Sequence, residues 1–141
     1  MSFEIRPFAS GDHDAVIGVW RRSGLLHPNN DPAKDIRRKL KVRPDLFLVG
    51  VAGGAVVATI MIGYDGHRGW VNYLGVLPEH QRRGYGRRLM EEAERLLRIE
   101  GCPKINLQVR TANKAALSFY DRIGFSDNDT VSLGKRLEQD S

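Results

Sequence analysis

Residues 70–101 read WVNYLGVLPEH (70–80), QRRGYGRRLM (81–90) and EEAERLLRIEG (91–101). The first segment alternates as a strand does, setting Val71, Tyr73 and Gly75 toward one face and Asn72, Leu74 and Val76 toward the other. Pro78 ends it, because proline has no N–H to give to a sheet ladder. A short basic loop with two glycines follows, from Gln81 to Gly86. Leu89, Met90, Ala93, Leu96 and Leu97 then recur along one helical face, and Gly101 closes the helix. Strand, glycine loop and helix in this order put unpaired backbone N–H groups at a helix N-terminus, a ready seat for a phosphate or pyrophosphate.

The rest of the chain narrows the choice of ligand. At 141 residues a single domain is expected, large enough to bury its own core. The formal net charge of +5 is spread along the chain, with dense points at Arg37-Arg38-Lys39 and at Arg82-Arg83 with Arg87-Arg88. No basic stripe interleaved with aromatics is present, so a small polyanionic ligand explains the charge better than nucleic acid does. His13 and His27 have no metal-ligand partners at useful spacing, and no metal is expected. Cys102 stands alone, the apolar runs fall short of a membrane span, and MSFEIRPF lacks a signal-peptide core; a cytoplasmic protein away from membranes is expected.

In chain order, Phe3 to Pro7 reads as a strand with Phe3 and Ile5 on one face. Ser10 or Asp12 can cap a helix carrying Ala15, Val16, Val19 and Trp20, which Gly24 ends. Leu25 to Asn30 is a loop, and Asp31-Pro32 opens a second helix through about Leu40. Leu46–Val51 and Val56–Tyr64 form a hairpin about Gly53-Gly54. After Gly101, Ile105–Val109 forms a strand parallel to Val71–Val76, because a helix joins them. Asn113 caps a helix with Ala116, Leu117, Tyr120 and Ile123 as its stripe, and Thr130–Leu137 alternates as a last strand. The expected class is α/β (α+β): a mixed, mostly antiparallel sheet with one parallel strand pair and helices on both faces.

Two familiar glycine loops do not fit. The dinucleotide fingerprint fails at its third glycine, since Gly84-Tyr85-Gly86 runs on into Arg87, Arg88 and Leu89. A Walker loop would need Gly-Lys-Ser/Thr. The run Gln81-Arg82-Arg83-Gly84-Tyr85-Gly86, after a strand and before a helix, instead resembles the acetyl-CoA loop Q/R-x-x-G-x-G/A of the GNAT acetyltransferases. The lead-in Leu74-Gly75-Val76-Leu77-Pro78-Glu79, the later Asn113 and the ending Phe119-Tyr120-Asp121-Arg122-Ile123-Gly124-Phe125 are similar to that family too. The segments LFLV, GYDGHRG, YLGV, GCPKI and SLGKRL look most like its small uncharacterised bacterial members of the YpeA type.

The resemblance implies an N-acetyltransferase that moves an acetyl group directly from acetyl-CoA to an amine, on a small molecule or a peptide. Backbone N–H groups of Arg82, Arg83, Gly84, Tyr85, Gly86 and Arg87, with Gln81 opening the loop, would hold the pyrophosphate. Main-chain groups of Leu74, Gly75 and Val76 would bond the pantetheine arm and thioester oxygen. Asn113 would contact the cofactor, although an N-cap role also explains it. Tyr120 would protonate the departing thiolate, although it also lies on the apolar stripe of its helix. A glutamate base of the family has no counterpart here: the two matching positions hold Trp70 and Gln108. Tyr64, Asp65, His67, Glu79 and His80 are better read as turn and surface residues. The acceptor pocket is expected between Leu25 and Lys39. The alternative is an acyl-CoA-binding regulatory module with little or no transferase activity. Homodimers are common in the family, and no feature of the sequence decides for or against one.

Overall fold

The computed structural model describes residues 2–140. A mixed sheet of five strands runs in the spatial order β1 (Phe3–Pro7), β2 (Phe47–Ala52), β3 (Ala55–Tyr64), β4 (Gly69–Val76) and β5 (Ile105–Leu107). Neighbours are antiparallel except β4 and β5, which run parallel. Helices α1 (His13–Arg22) and α2 (Pro32–Lys39) cover one face, and α3 (Tyr85–Ile99) and α4 (Lys114–Arg122) the other.

Each helix follows from its sequence. Val16, Val19 and Trp20 fall at the spacing that puts three side chains on one face of α1, and all are buried. Ala15 is expected with them but points to solvent, because the stripe is narrower than four residues. The Asp31 carboxylate accepts the N–H groups of Ala33 and Lys34 at 2.9 and 3.3 Å, capping α2 ahead of Pro32. Ile36 anchors α2 beneath Phe47 and Trp20; burying such a side chain contributes about 1.5–3 kcal/mol. Leu89, Met90, Ala93 and Leu97 seat α3 against the sheet. It stops at a Schellman turn, with Cys102 N–H bonded to Leu97 C=O and Gly101 N–H to Arg98 C=O.

Three further expectations need correction. Leu117 of α4 is 42 % exposed, and Phe119 makes the contact in its place, beside the expected Tyr120 and Ile123. β5 ends at Leu107 rather than Val109. Residues 130–137 form no strand: Val131, Leu133 and Leu137 are 82, 90 and 93 % exposed. The three-residue β5 offers almost no ladder to pair with, and the segment is held beside it by side chains, Asn128 to Asn106 and Gln108 to Ser132.

Candidate active site

The centre of the site is an irregularity in β4. Thr59 pairs with Gly75 and Met61 with Asn72, so Tyr73 and Leu74 together oppose Ile60. Tyr73 takes a left-handed backbone, φ +52°, unusual for an aromatic residue. Three contacts hold it there. Its ring stacks on Trp20 at 3.8 Å between centroids. Its carbonyl accepts the Thr59 hydroxyl at 2.8 Å, while Trp20 Nε1–H donates to Thr59 Oγ1 at 3.0 Å. Its own hydroxyl donates to Asp35 Oδ2 at 2.6 Å. The extra residue also breaks the expected alternation. Val71 shares the α3 face with Leu74 and Val76, whereas Tyr73 turns toward α1.

Beyond the bulge the two parallel strands part. Their pairing runs from Gly69–Ile105 to Val71–Leu107 and stops, so Leu74, Gly75 and Val76 have no β5 partner. Gly75 belongs there for a steric reason. A Cβ would lie 2.8 Å from Leu25 Cδ1 and 2.9 Å from Ser23 Oγ, at the end of α1.

The loop from Gln81 to Arg87 closes one end of this opening. Gln81 Nε2–H donates to Val76 C=O at 3.0 Å, tying the loop to the end of β4. Arg82 and Gly84 both have positive φ, +65° and +80°, and Gly84 caps α3 in the left-handed region. The first bond into α3 from the loop is Arg88 N–H to Gly84 C=O, so Tyr85, Gly86 and Arg87 N–H groups have no carbonyl one turn back. The Tyr85 ring is buried, stacked on Phe3 at 3.9 Å, which leaves its N–H as the group it can offer a ligand. Glu79 is bound by both Arg22 nitrogens at 2.8 and 2.6 Å, an ion pair that holds its carboxyl below the usual range.

On the α3 face, Phe119 of α4 lies against Gly86, where a Cβ would sit 3.4 Å from its ring. Tyr120 follows it, edge-on to Phe119 and Phe125, and its hydroxyl has no hydrogen-bond partner among the described residues. Burial pushes the phenol up to about 12, so it stays protonated at neutral pH. Asn113 Oδ1 accepts Ala116 N–H at 3.1 Å, the capping role; its Nδ2 is uncommitted.

On the opposite face a cleft of about 870 Å³ lies over the gap, with Asn72 and Tyr73 on its β4 side and Gln108 to Arg110 on its β5 side. Its roof is the α1–α2 connection and α2. Asp35 is the carboxylate that lines it, its side chain 22 % exposed. Burial, and then the hydrogen bond to Asp35, raise the Tyr73 phenol well above its ordinary value. Lys39 Nζ donates to Ile62 C=O at 2.6 Å, and burial lowers its pKa. Arg110 Nε–H donates to His27 Nε2 at 2.9 Å. Neither Tyr73 nor Asp35 stood out in the sequence as a site residue. They are 38 positions apart, and no local pattern links them. Only the expectation of a pocket over Leu25–Lys39 pointed that way.

The remaining sequence candidates fall elsewhere. Asp65 accepts the N–H groups of His67 and Arg68 at 2.8 and 2.7 Å and the Trp70 indole N–H at 3.2 Å, a turn-forming role. Among the described residues no three His, Cys, Asp or Glu side chains gather as a metal site.

A family model described as the acetyltransferase (GNAT) family matches residues 15–125. A protein named as an acetyltransferase from Sodalis glossinidius is 50 % identical over 138 residues, covering 97 % of each chain. Among solved structures, Ard1 from Thermoplasma volcanium superposes with a TM-score of 0.77 at 28 % identity, over 89 % of this chain and 84 % of its own. A PaiA N-acetyltransferase from Thermoplasma acidophilum, in complex with coenzyme A, shares the fold with a TM-score of 0.75 at 24 % identity, over 93 and 94 % of the two chains.

Proposed function

The chain belongs to the GNAT acetyltransferase family, and we propose that it is a single-domain N-acetyltransferase that moves the acetyl group of acetyl-CoA directly onto an amine in the cleft beside Asp35. The parting of β4 from β5 next to the open loop carries this reading. The residues fit the co-substrate: N–H groups from Arg82 to Arg87 suit its pyrophosphate, Gly86 brings main chain close to α4, and the unpaired edge Leu74–Val76 suits the pantetheine arm. A backbone N–H aimed at the thioester oxygen as charge develops there is worth about 3 kcal/mol.

In this reading the neutral amine bonds to the acetyl carbon while the carbon–sulfur bond breaks. Tyr120 gives its proton to the departing sulfur, the nitrogen gives its extra proton to water, and solvent restores the phenol's proton. With glutamine and tryptophan at positions 108 and 70, no strand carboxylate deprotonates the amine. An amine of low pKa then reacts best. At pH 7 a lysine amine of pKa about 10.4 is neutral in fewer than about one molecule in a thousand, an α-amine of about 8 in roughly one in ten. Activity on lysine side chains with none on α-amines would refute that part. We place the reaction in the cytoplasm, with no nucleic-acid or membrane partner; no described helix is long and apolar enough to cross a membrane. Sedimentation at two concentrations decides whether the chain pairs as a homodimer.

The first test is thermal unfolding with acetyl-CoA, using NAD as control. At about a hundredfold excess over Kd, a ligand bound only by the native state adds about 2.7 kcal/mol, several degrees for a domain of this size. A rise with acetyl-CoA alone supports the reading, and no rise removes the co-substrate and with it the activity.

A further inference from the structure

We propose, resting on the acetyl-transfer reading, that the acceptor is a small zwitterion of the amino-acid class, its ammonium held by Asp35 and Tyr73 and its carboxylate by Arg110. The charges that line the cleft are unequal. One carboxylate, Asp35, faces three cations, Arg38, Lys39 and Arg110. Arg38 is already neutralised by Asp140 at 2.7 Å and Glu138 at 3.7 Å, apart from its contact to Asp35 at 3.1 Å. Lys39 is turned to the Ile62 carbonyl. Arg110 is the exception. It is exposed, it forms no ion pair with a carboxylate among the described residues, and its Nε–H is fixed by His27. Because this bond uses Nε–H, both terminal nitrogens of the guanidinium are left for a two-point grip on a carboxylate.

Both ends line the one cleft. Tyr73 sits on β4 and Arg110 follows β5, so they stand on opposite sides of the gap through which the acetyl group would arrive, under Asp35 of α2. The Tyr73 oxygen has lone pairs left after its hydrogen bond to Asp35 and can accept from an ammonium. That route also handles the proton the strands cannot take. The ammonium gives one proton to the Tyr73 oxygen while the Tyr73 hydroxyl proton passes to Asp35, and the amine left behind is the nucleophile. A polyamine or an aminoglycoside would instead set further ammonium groups against Arg110 and Lys39, and a neutral monoamine would leave Arg110 unmatched.

The test measures kcat/KM for a panel of α-amino acids, each beside its own carboxamide, with spermidine as the polycation. The carboxamide is the more easily deprotonated amine, so a preference for the acid cannot come from basicity. In the wild type at least one acid should exceed its amide by about tenfold or more, and Arg110→Ala should bring that ratio toward one, chiefly through KM. Arg110→Lys should retain part of the preference. Amides or spermidine acetylated as well as the acids, or a ratio unmoved in Arg110→Ala, overturn the assignment. So does a protein whose melting temperature rises with acetyl-CoA in the same samples but which acetylates no amino acid. Failure to bind acetyl-CoA overturns the transfer reading itself, so the two failures are told apart.

Discussion

In the proposed reaction Tyr120 serves two purposes with one phenol. Its ring fills the space between Phe119 and Phe125, and its hydroxyl has no hydrogen-bond partner among the described residues. Replacing it with Phe keeps the packing and removes the acid. We expect kcat to fall by about a hundredfold or more while the thermal shift with acetyl-CoA stays within a degree of wild type. An acyl-CoA-binding module would show no turnover to lose. Because burial holds this phenol up to about 12, its ionisation contributes no basic limb to the pH–rate profile below about pH 11. Thr59 makes a sharper structural prediction. Thr59→Val preserves shape but leaves the buried Trp20 indole N–H and the Tyr73 carbonyl without their shared partner. Calorimetry should show a loss of about 2 kcal/mol, and kcat/KM should fall with it as the bulge relaxes. Tyr120 was legible as a candidate because it sits in a local ending, Tyr120 to Phe125, that resembles the GNAT pattern. Tyr73 and Asp35 were not, since their meeting depends on how a helix from the first third of the chain crosses the fourth strand.

The glycine loop and its helix were legible as an element because their signals are local: a proline stop, two glycines and a 3.6-residue stripe. The β4 bulge was hidden for the opposite reason. Strict alternation through Val71, Tyr73 and Gly75 is what a regular strand would show, and nothing within residues 70–76 marks the extra residue. It is imposed from outside, by Thr59 on β3 and Trp20 on α1. Gly84→Ala separates loop geometry from stability. No atom beyond the local backbone and its chain neighbours lies within 4 Å of the position of a Cβ at Gly84, so the cost is the positive φ alone, about 1–2 kcal/mol. Thermal unfolding without ligand should drop by only a few degrees. If the loop N–H groups hold the pyrophosphate, titration should show acetyl-CoA affinity falling by about tenfold or more, as the cradle rearranges to relieve that strain.

At the scale of the whole molecule, the mixed sheet and its helix order were legible because every hairpin turn and helix stop lies close to its element. The last segment was not. Val131 and Leu133 alternate like strand residues, yet alternation yields a strand only where a neighbour has a free ladder, and β5 is too short to give one. The chain instead crosses back to α2, where side chains secure it. The Asp140 carboxylate accepts Arg38 at 2.7 Å and the backbone N–H of Asp31 at 2.9 Å, while its carbonyl accepts Lys34 at 3.2 Å. The Arg38 bond first, and then the Asp31 N–H, hold this carboxyl well below the usual range. The sign follows from that direction. A carboxyl depressed in the folded state stabilises it fully above the unfolded value of about 3.9, and the contribution is lost as pH falls from there through the folded value. Asp140→Asn should therefore lower the melting temperature at pH 7, and the gap from wild type should close progressively below about pH 4. Because Arg38 also reaches Asp35, the variant frees a guanidinium beside the proposed amine end of the cleft. If the transfer reading holds, its KM for acceptor amines should rise while its response to acetyl-CoA, proposed to bind on the other face of the gap, remains that of the wild type. A gap that stays constant down to pH 2 would show that Asp140 is not the carboxyl that ties the chain's end to α2.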